Sequence, residues 1–183
     1  MMAEFLVVSV SNKENKAKIE LLDVVLLADK DVKIVETERK NTFKIVTKLN
    51  ENDFLHLVFS SLPRYTIRII PIHKTCNLNK NEVLASALSL LEDLNSTKKI
   101  KVMLKSKKSL RGFLDPIKKE LLKAVRTKGY ELDVISPEVI LYFETVDNKI
   151  IISLLRSTLP LSLYSLRDKA CKFVKHITEE RGT

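Results

Sequence analysis

Tryptophan is absent from this chain of 183 residues, glycine occurs three times, cysteine twice and proline five times. Each scarcity removes a class of function. With so few glycines a phosphate-cradling loop is hard to build, and neither a Walker A sequence nor a GxGxxG dinucleotide fingerprint occurs. Cys76 and Cys171 lie far apart and neither belongs to a CxxC pair, so no zinc site is expected. Both read as reduced thiols of a cytosolic protein. There is no GxSxG elbow, and His56, His73 and His176 fall in no recognisable nucleophile–base pattern, so they are expected as structural or surface histidines. The expectation is a protein that is not an enzyme by itself and holds no cofactor and no metal.

Long apolar runs are missing too. Phe5–Val8, preceded by Glu4, lacks the charged lead and the length of a signal peptide, and no stretch reaches membrane-spanning length. A cytoplasmic protein without a membrane partner is expected. No Gly-, Ser- or Gln-rich tract interrupts the chain, and 45% of its residues are hydrophobic, so almost all of it should fold.

What the chain does have is concentrated positive charge. Residues 98–128 carry twelve Lys and Arg against Asp115 and Glu120, a formal +10 where the whole chain sums to +9. Everything outside that segment is therefore close to neutral. A solvated face that serves only solubility mixes its signs, whereas packing this excess into one segment incurs self-repulsion that a polyanion's phosphates would relieve.

Apolar spacing sets the expected elements. Glu4–Val10 reads as a strand and Asn12–Lys30 as a helix, with Ile19, Leu22 and Leu26 three and four residues apart. Val32–Val35 and Thr42–Leu49 alternate as strands, Asp53–Leu62 returns to helical spacing through Phe54, Val58 and Leu62, and Tyr65–Ile72 is again a strand. This βαββαβ order is the ferredoxin-like, split-βαβ arrangement. A capping pair, Asn79 and Glu82, opens a helix that buries Leu84, Leu88 and Leu91. Ile100, Val102 and Leu104 then alternate with Lys99, Lys101, Met103 and Lys105, followed by a basic turn, Ser106–Gly112. Asp115 is expected as a helix N-cap with Pro116 at the first helical position and Gly129 just past the end. Ile117, Leu121 and Val125 face inward on that helix, while Lys119, Lys123 and Arg126 line its solvated side. Strands are expected at Tyr130–Ile135, Val139–Thr145 and Lys149–Leu155, the last two joined by a tight turn at Asp147 and Asn148, and a final helix after Pro160.

The strand lysines, the turn and the helix are thus expected to form one cationic ridge. Phe113, Tyr130, Tyr142 and Phe143 flank it at positions that mostly alternate into the core, so a polyanion should be met by charge rather than by stacking on rings.

From Tyr65 to Leu155 the sequence resembles a THUMP domain, the RNA-binding module of tRNA thiolation, methylation and acetylation systems. Tyr65–Ile72 runs straight into His73, Lys74, Thr75 and Cys76, similar to the proline–isoleucine and threonine–cysteine signature of the tRNA acetylation adaptors. Ile100–Ser109 resembles the basic strand and turn of the domain, Tyr130–Glu144 its closing Leu-Asp strand, proline and Ile-rich strand, and Lys149–Leu155 its last strand. Ser136 and Glu138 depart from the asparagine and aspartate usual there.

The resemblance implies an α+β chain: a ferredoxin-like N-terminal domain (1–63), an α/β THUMP RNA-binding domain (64–157) and a C-terminal helical extension (158–183). It implies an adaptor that binds tRNA and presents it to a separate tRNA acetyltransferase for N4-acetylcytidine formation, or else the RNA-binding subunit of a thiolation or methylation system. Lys99, Lys101, Lys105, Lys107, Lys108 and Arg111 would then grip the acceptor-end backbone, with Lys119, Lys123 and Arg126 extending the track and Arg68, Lys74 and Asn77 as weaker candidates. Thr75 and Cys76 are expected to shape a turn, with Cys76 packed as a small apolar group.

Overall fold

The computed structural model describes residues 2–92, 94, 99–106 and 110–156. Contacts divide them into two compact units, one comprising the residues up to Glu36 and Lys40–Ile69, the other Thr37–Arg39 and the residues from Ile70 onward.

In the first unit β1 (Ala3–Ser9), α1 (Glu14–Val25), β2 (Lys33–Glu36), β3 (Thr42–Thr47), α2 (Glu51–Ser61) and β4 (Thr66–Pro71, whose last two residues belong to the second unit) follow the expected βαββαβ order. The sheet order is β2-β3-β1-β4, and β3 runs antiparallel to both β1 and β2. That is the split-βαβ topology. One face of β1 and β3 turns Phe5, Val7, Phe43 and Ile45 into a core with Phe54 and Val58, all fully buried, and the Phe5 and Phe54 rings stack at 3.9 Å. Asn50 caps α2 by accepting the Asp53 N–H at 2.9 Å.

Helix α1 packs differently from the sequence expectation. Ala17, Leu21 and Val25 are its buried row, while Ile19 is 59% and Leu26 44% exposed. Two apolar rows share this helix, both with helical spacing, and packing on the sheet selected the row that contains the small Ala17. The helix is also shorter than Asn12–Lys30: Asn12 has φ 59°, and the chain turns after Val25.

In the second unit β5 (Lys74–Asn77), α3 (Lys80–Glu92), β6 (Lys99–Lys105), α4 (Arg111–Thr127), β7 (Glu131–Leu132), β8 (Val139–Val146) and β9 (Lys149–Arg156) build a five-stranded sheet of order β5-β9-β8-β6-β7. β6 is parallel to β7 and β8, whereas β9 is antiparallel to β5 and β8. Helices α3 and α4 bury Val83, Ala87, Leu91, Leu114, Ile117, Leu121 and Val125 against Ile100, Leu141, Phe143, Ile150 and Ile152. The β8–β9 turn is the expected one, with Asp147 at φ 51° and Asn148 at φ 57°, the left-handed pair that matches hairpin twist.

Four expectations are corrected here. Thr75 and Cys76 do not shape a turn; they lie in β5, paired with β9, and Cys76 is buried as expected. Asp115 is not an N-cap, because α4 begins four residues earlier at Arg111. Burial of Leu114 draws that extra turn into the helix. Pro116 then lies inside α4, where the carbonyl it leaves without a donor is that of Gly112, near the helix start. β7 covers only two residues of the expected Tyr130–Ile135 strand, because the Asp133 carboxylate accepts the N–H groups of Ile135 (2.8 Å) and Ser136 (2.9 Å) and turns the chain. The Asn79–Glu82 pair caps α3 from one side only. Asn79 Oδ1 accepts the Glu82 N–H at 3.1 Å, while the Glu82 carboxylate accepts from the backbone and side chain of Asn77. The helix expected after Pro160 lies outside the described residues.

Candidate nucleic-acid interface

Strand β6 and helix α4 carry most of the cations singled out in the sequence, and their packing separates them. Ile100 is buried beneath the helices, with Val102 and Leu104 packed on the same core. Successive strand residues point to opposite faces, so Lys99, Lys101 and Lys105 occupy the face away from α3 and α4. The expected single ridge is therefore two separate groups. A helix that folds back onto the apolar side of a strand leaves that strand's alternate residues on the far side of the sheet.

The strand group is largely engaged within the chain. Lys99 pairs with Asp133 at 3.5 Å, and the Lys101 amine donates to the Val134 carbonyl at 3.2 Å. Both thereby brace the turn after β7. The backbone N–H groups of Ser136 and Ile135, with Lys99 nearby, hold the Asp133 carboxyl below its ordinary range. Lys105 is exposed but is not free of partners.

The helix group differs. Arg111, Lys118, Lys119, Lys123 and Arg126 are all exposed, and none has an ion-pair partner among the described residues. Of the two acids on α4, Glu120 is drawn aside to Lys80 of α3 at 2.5 Å, and Asp115 stays exposed beside the cations. At the other end of α4, Lys128 pairs with Glu92 of α3 at 2.8 Å. These two bridges tie α4 to α3 along one flank, while Lys119, Lys123 and Arg126 on its crest are exposed among the described residues.

Lys107 and Lys108 lie outside the described residues. Arg68 is half-buried in β4, in the first unit, and is not free. Lys74 is exposed on the edge strand β5, and Asn77 is held by Glu82. Of the residues expected, the structure thus gathers Arg111, Lys119, Lys123 and Arg126 on one helix. Sequence reading had passed over Lys118, although its place seven residues after Arg111 was a helical signal.

The candidate aromatics are inward. Tyr142 and Phe143 are buried, Tyr130 donates its hydroxyl to the Leu91 carbonyl at 2.7 Å, and Phe113 packs against the core. Among the described residues no cluster of His, Cys, Asp or Glu could hold a metal ion, and no helix is long and apolar enough to cross a membrane.

The fold is of THUMP type: mixed α+β, with a five-stranded sheet backed by α3 and α4 and a smaller split-βαβ sheet in the same chain. Solved structures that share it include PH1313 from Pyrococcus horikoshii (TM-score 0.59, 12% identity, 87% of this chain and 57% of that one). TrmN from Thermus thermophilus is similar (TM-score 0.59, 14% identity, 89% and 47%), as is a 4-thiouridine synthetase solved with RNA and ATP bound (TM-score 0.56, 14% identity, 85% and 42%). The chain spans about half the length of these proteins. No protein-family model matches it, and no curated protein sequence does.

Proposed function

We propose that this chain is a tRNA-binding adaptor, without catalytic activity of its own, that presents tRNA to a separate acetyltransferase for N4-acetylcytidine formation in the cytoplasm. The observation that carries its RNA-binding part is the exposed cationic surface of α4, without ion-pair partners among the described residues, on a THUMP-type fold shared with a synthetase solved on RNA. The acetylation assignment rests on the residues that resemble the acetylation adaptors, above all Pro71–Ile72 and Thr75–Cys76. In this reading residues 1–63 are the ferredoxin-like domain, 64–157 the THUMP domain and 158–183 a helical extension. Holding tRNA at a partner enzyme raises the local concentration of the target cytidine.

A second reading has its own support. Similar solved structures include a 4-thiouridine synthetase and TrmN, which favours an RNA-binding subunit of a thiolation or methylation system. One experiment separates the two: mass spectrometry of tRNA nucleosides from a strain lacking this chain. Loss of acetylcytidine supports the adaptor reading; loss of thiouridine or of a methylated base with acetylcytidine intact overturns it. The binding step is tested by tRNA affinity against salt, with an expected log–log slope of about 0.7–0.9 per neutralised phosphate. A salt-independent affinity removes the mechanism.

A further inference from the structure

β7 is an edge strand of the five-stranded sheet, and the turn after it holds two large apolar side chains in solvent: Val134 is 70% and Ile135 93% exposed. The backbone beneath them is fixed. Asp133 donates its N–H to the Ile100 carbonyl at 3.1 Å, and its carboxylate accepts from Ile135 and Ser136. The Lys101 amine holds the Val134 carbonyl at 3.2 Å, and the Glu138 N–H closes the turn onto the Lys99 carbonyl at 2.9 Å. None of these bonds uses the side chain of Val134 or Ile135, so the turn itself does not require either to be apolar. Side chains presented on a backbone that is already ordered lose little freedom when a partner covers them, which favours recognition.

Charge and position identify the kind of partner. In a chain of net charge +9, the stretch Glu131–Glu138 holds Glu131, Asp133 and Glu138 and neither Lys nor Arg. Lys99 and Lys101 reach it from β6, but both are bonded to the turn itself. Such a rim repels phosphate, so RNA is a poor occupant. Lys101 meets Val134 on the side of the sheet away from α3 and α4, so the apolar pair and the α4 cations lie on opposite sides of that sheet. In a two-fold dimer built on this turn the two acidic rims would meet, which disfavours a second copy. An apolar projection with an acidic rim fits an apolar cleft bordered by Lys and Arg on another protein. An enzyme that acts on tRNA has reason to carry such cations, because it too must meet phosphates.

Resting on the adaptor reading above, we infer that the Val134–Ile135 turn is the docking point for the separate modifying enzyme, received in an apolar cleft rimmed by Lys and Arg. The test complements a strain lacking this chain with the wild type, with Val134→Ser combined with Ile135→Ser, or with Glu131→Lys, all at equal expression. Mass spectrometry of tRNA nucleosides reads the modification, fluorescence anisotropy the tRNA affinity of each purified chain, and light scattering its oligomeric state. The double variant should keep the wild-type urea midpoint and a tRNA affinity within about twofold, yet leave the modified nucleoside at least about tenfold below the wild-type level. Glu131→Lys, which keeps the apolar pair, should lower the modification in the same direction although it adds a cation. Full modification by the double variant overturns the docking assignment and leaves the adaptor reading intact. Loss of tRNA affinity in the double variant also overturns it, making the turn an RNA contact, as does dissociation of a dimer, making it a contact between copies. A deletion strain whose tRNA nucleosides are all unchanged overturns both.

Discussion

Asp29 shows how one carboxylate fixes a turn. It is 5% exposed just beyond α1, where it accepts the Thr47 hydroxyl at 2.6 Å, the Lys48 N–H at 2.7 Å and the Asp31 N–H at 3.0 Å. The hydroxyl of Thr47 and then the N–H of Lys48 hold its carboxyl below the ordinary value, against the opposing effect of burial. A lowered folded-state value stabilises the protein above the unfolded carboxylate pKa, and the contribution fades as pH falls through the folded value. Asp29→Asn should accordingly lower the urea midpoint at pH 7 and have a smaller effect near pH 3; equal effects at both would refute the account. Cys76 makes the opposite case. Burial pushes its thiol above the usual value, so in a Cys171→Ser background it should react with a thiol reagent only as fast as the protein opens. The lysines divide by partner. Lys99→Ala removes a brace from Asp133 and should change tRNA affinity less than about threefold, whereas Lys123→Glu should weaken it about tenfold or more in the same anisotropy titration.

Helix α4 is the element in which packing and function meet. Its apolar row is embedded in the second unit's core, so Leu121→Ala should cost about 2–5 kcal/mol in urea denaturation. The same change should leave the salt slope of RNA binding unaltered under conditions where the variant is folded. Most of this helix was legible in the sequence, because Ile117, Leu121 and Val125 allow only one inward face. Its beginning was not. Asp115 and Pro116 satisfy the local rule for a helix start, and only the burial of Leu114 brings the preceding turn into the helix. α1 gives a sharper instance: Ile19, Leu22 and Leu26 have as good a helical spacing as Ala17, Leu21 and Val25. Spacing alone cannot say which row meets the sheet.

For the whole molecule, charge is the quantity that sequence reading located well and distributed wrongly. The basic segment is real, but Lys99, Lys101 and Lys128 are committed to partners inside the chain, and among its described residues the cations without an ion-pair partner lie on the helix. Five phosphate contacts by Arg111, Lys118, Lys119, Lys123 and Arg126 would give a salt slope of roughly 4. A slope near 9, as if every basic residue of the segment met a phosphate, would contradict this partition. The sequence by itself determined the α+β class, the order of the described elements apart from β5, the β8–β9 hairpin and the position of the charge, because hydrophobic period, turn chemistry and ion count are local properties. Only the tertiary structure decided which apolar row of α1 is core, where α4 begins and that the strand and helix lysines face apart. Those outcomes depend on which side of a sheet a helix returns to and on what it buries there, and no local pattern carries that choice.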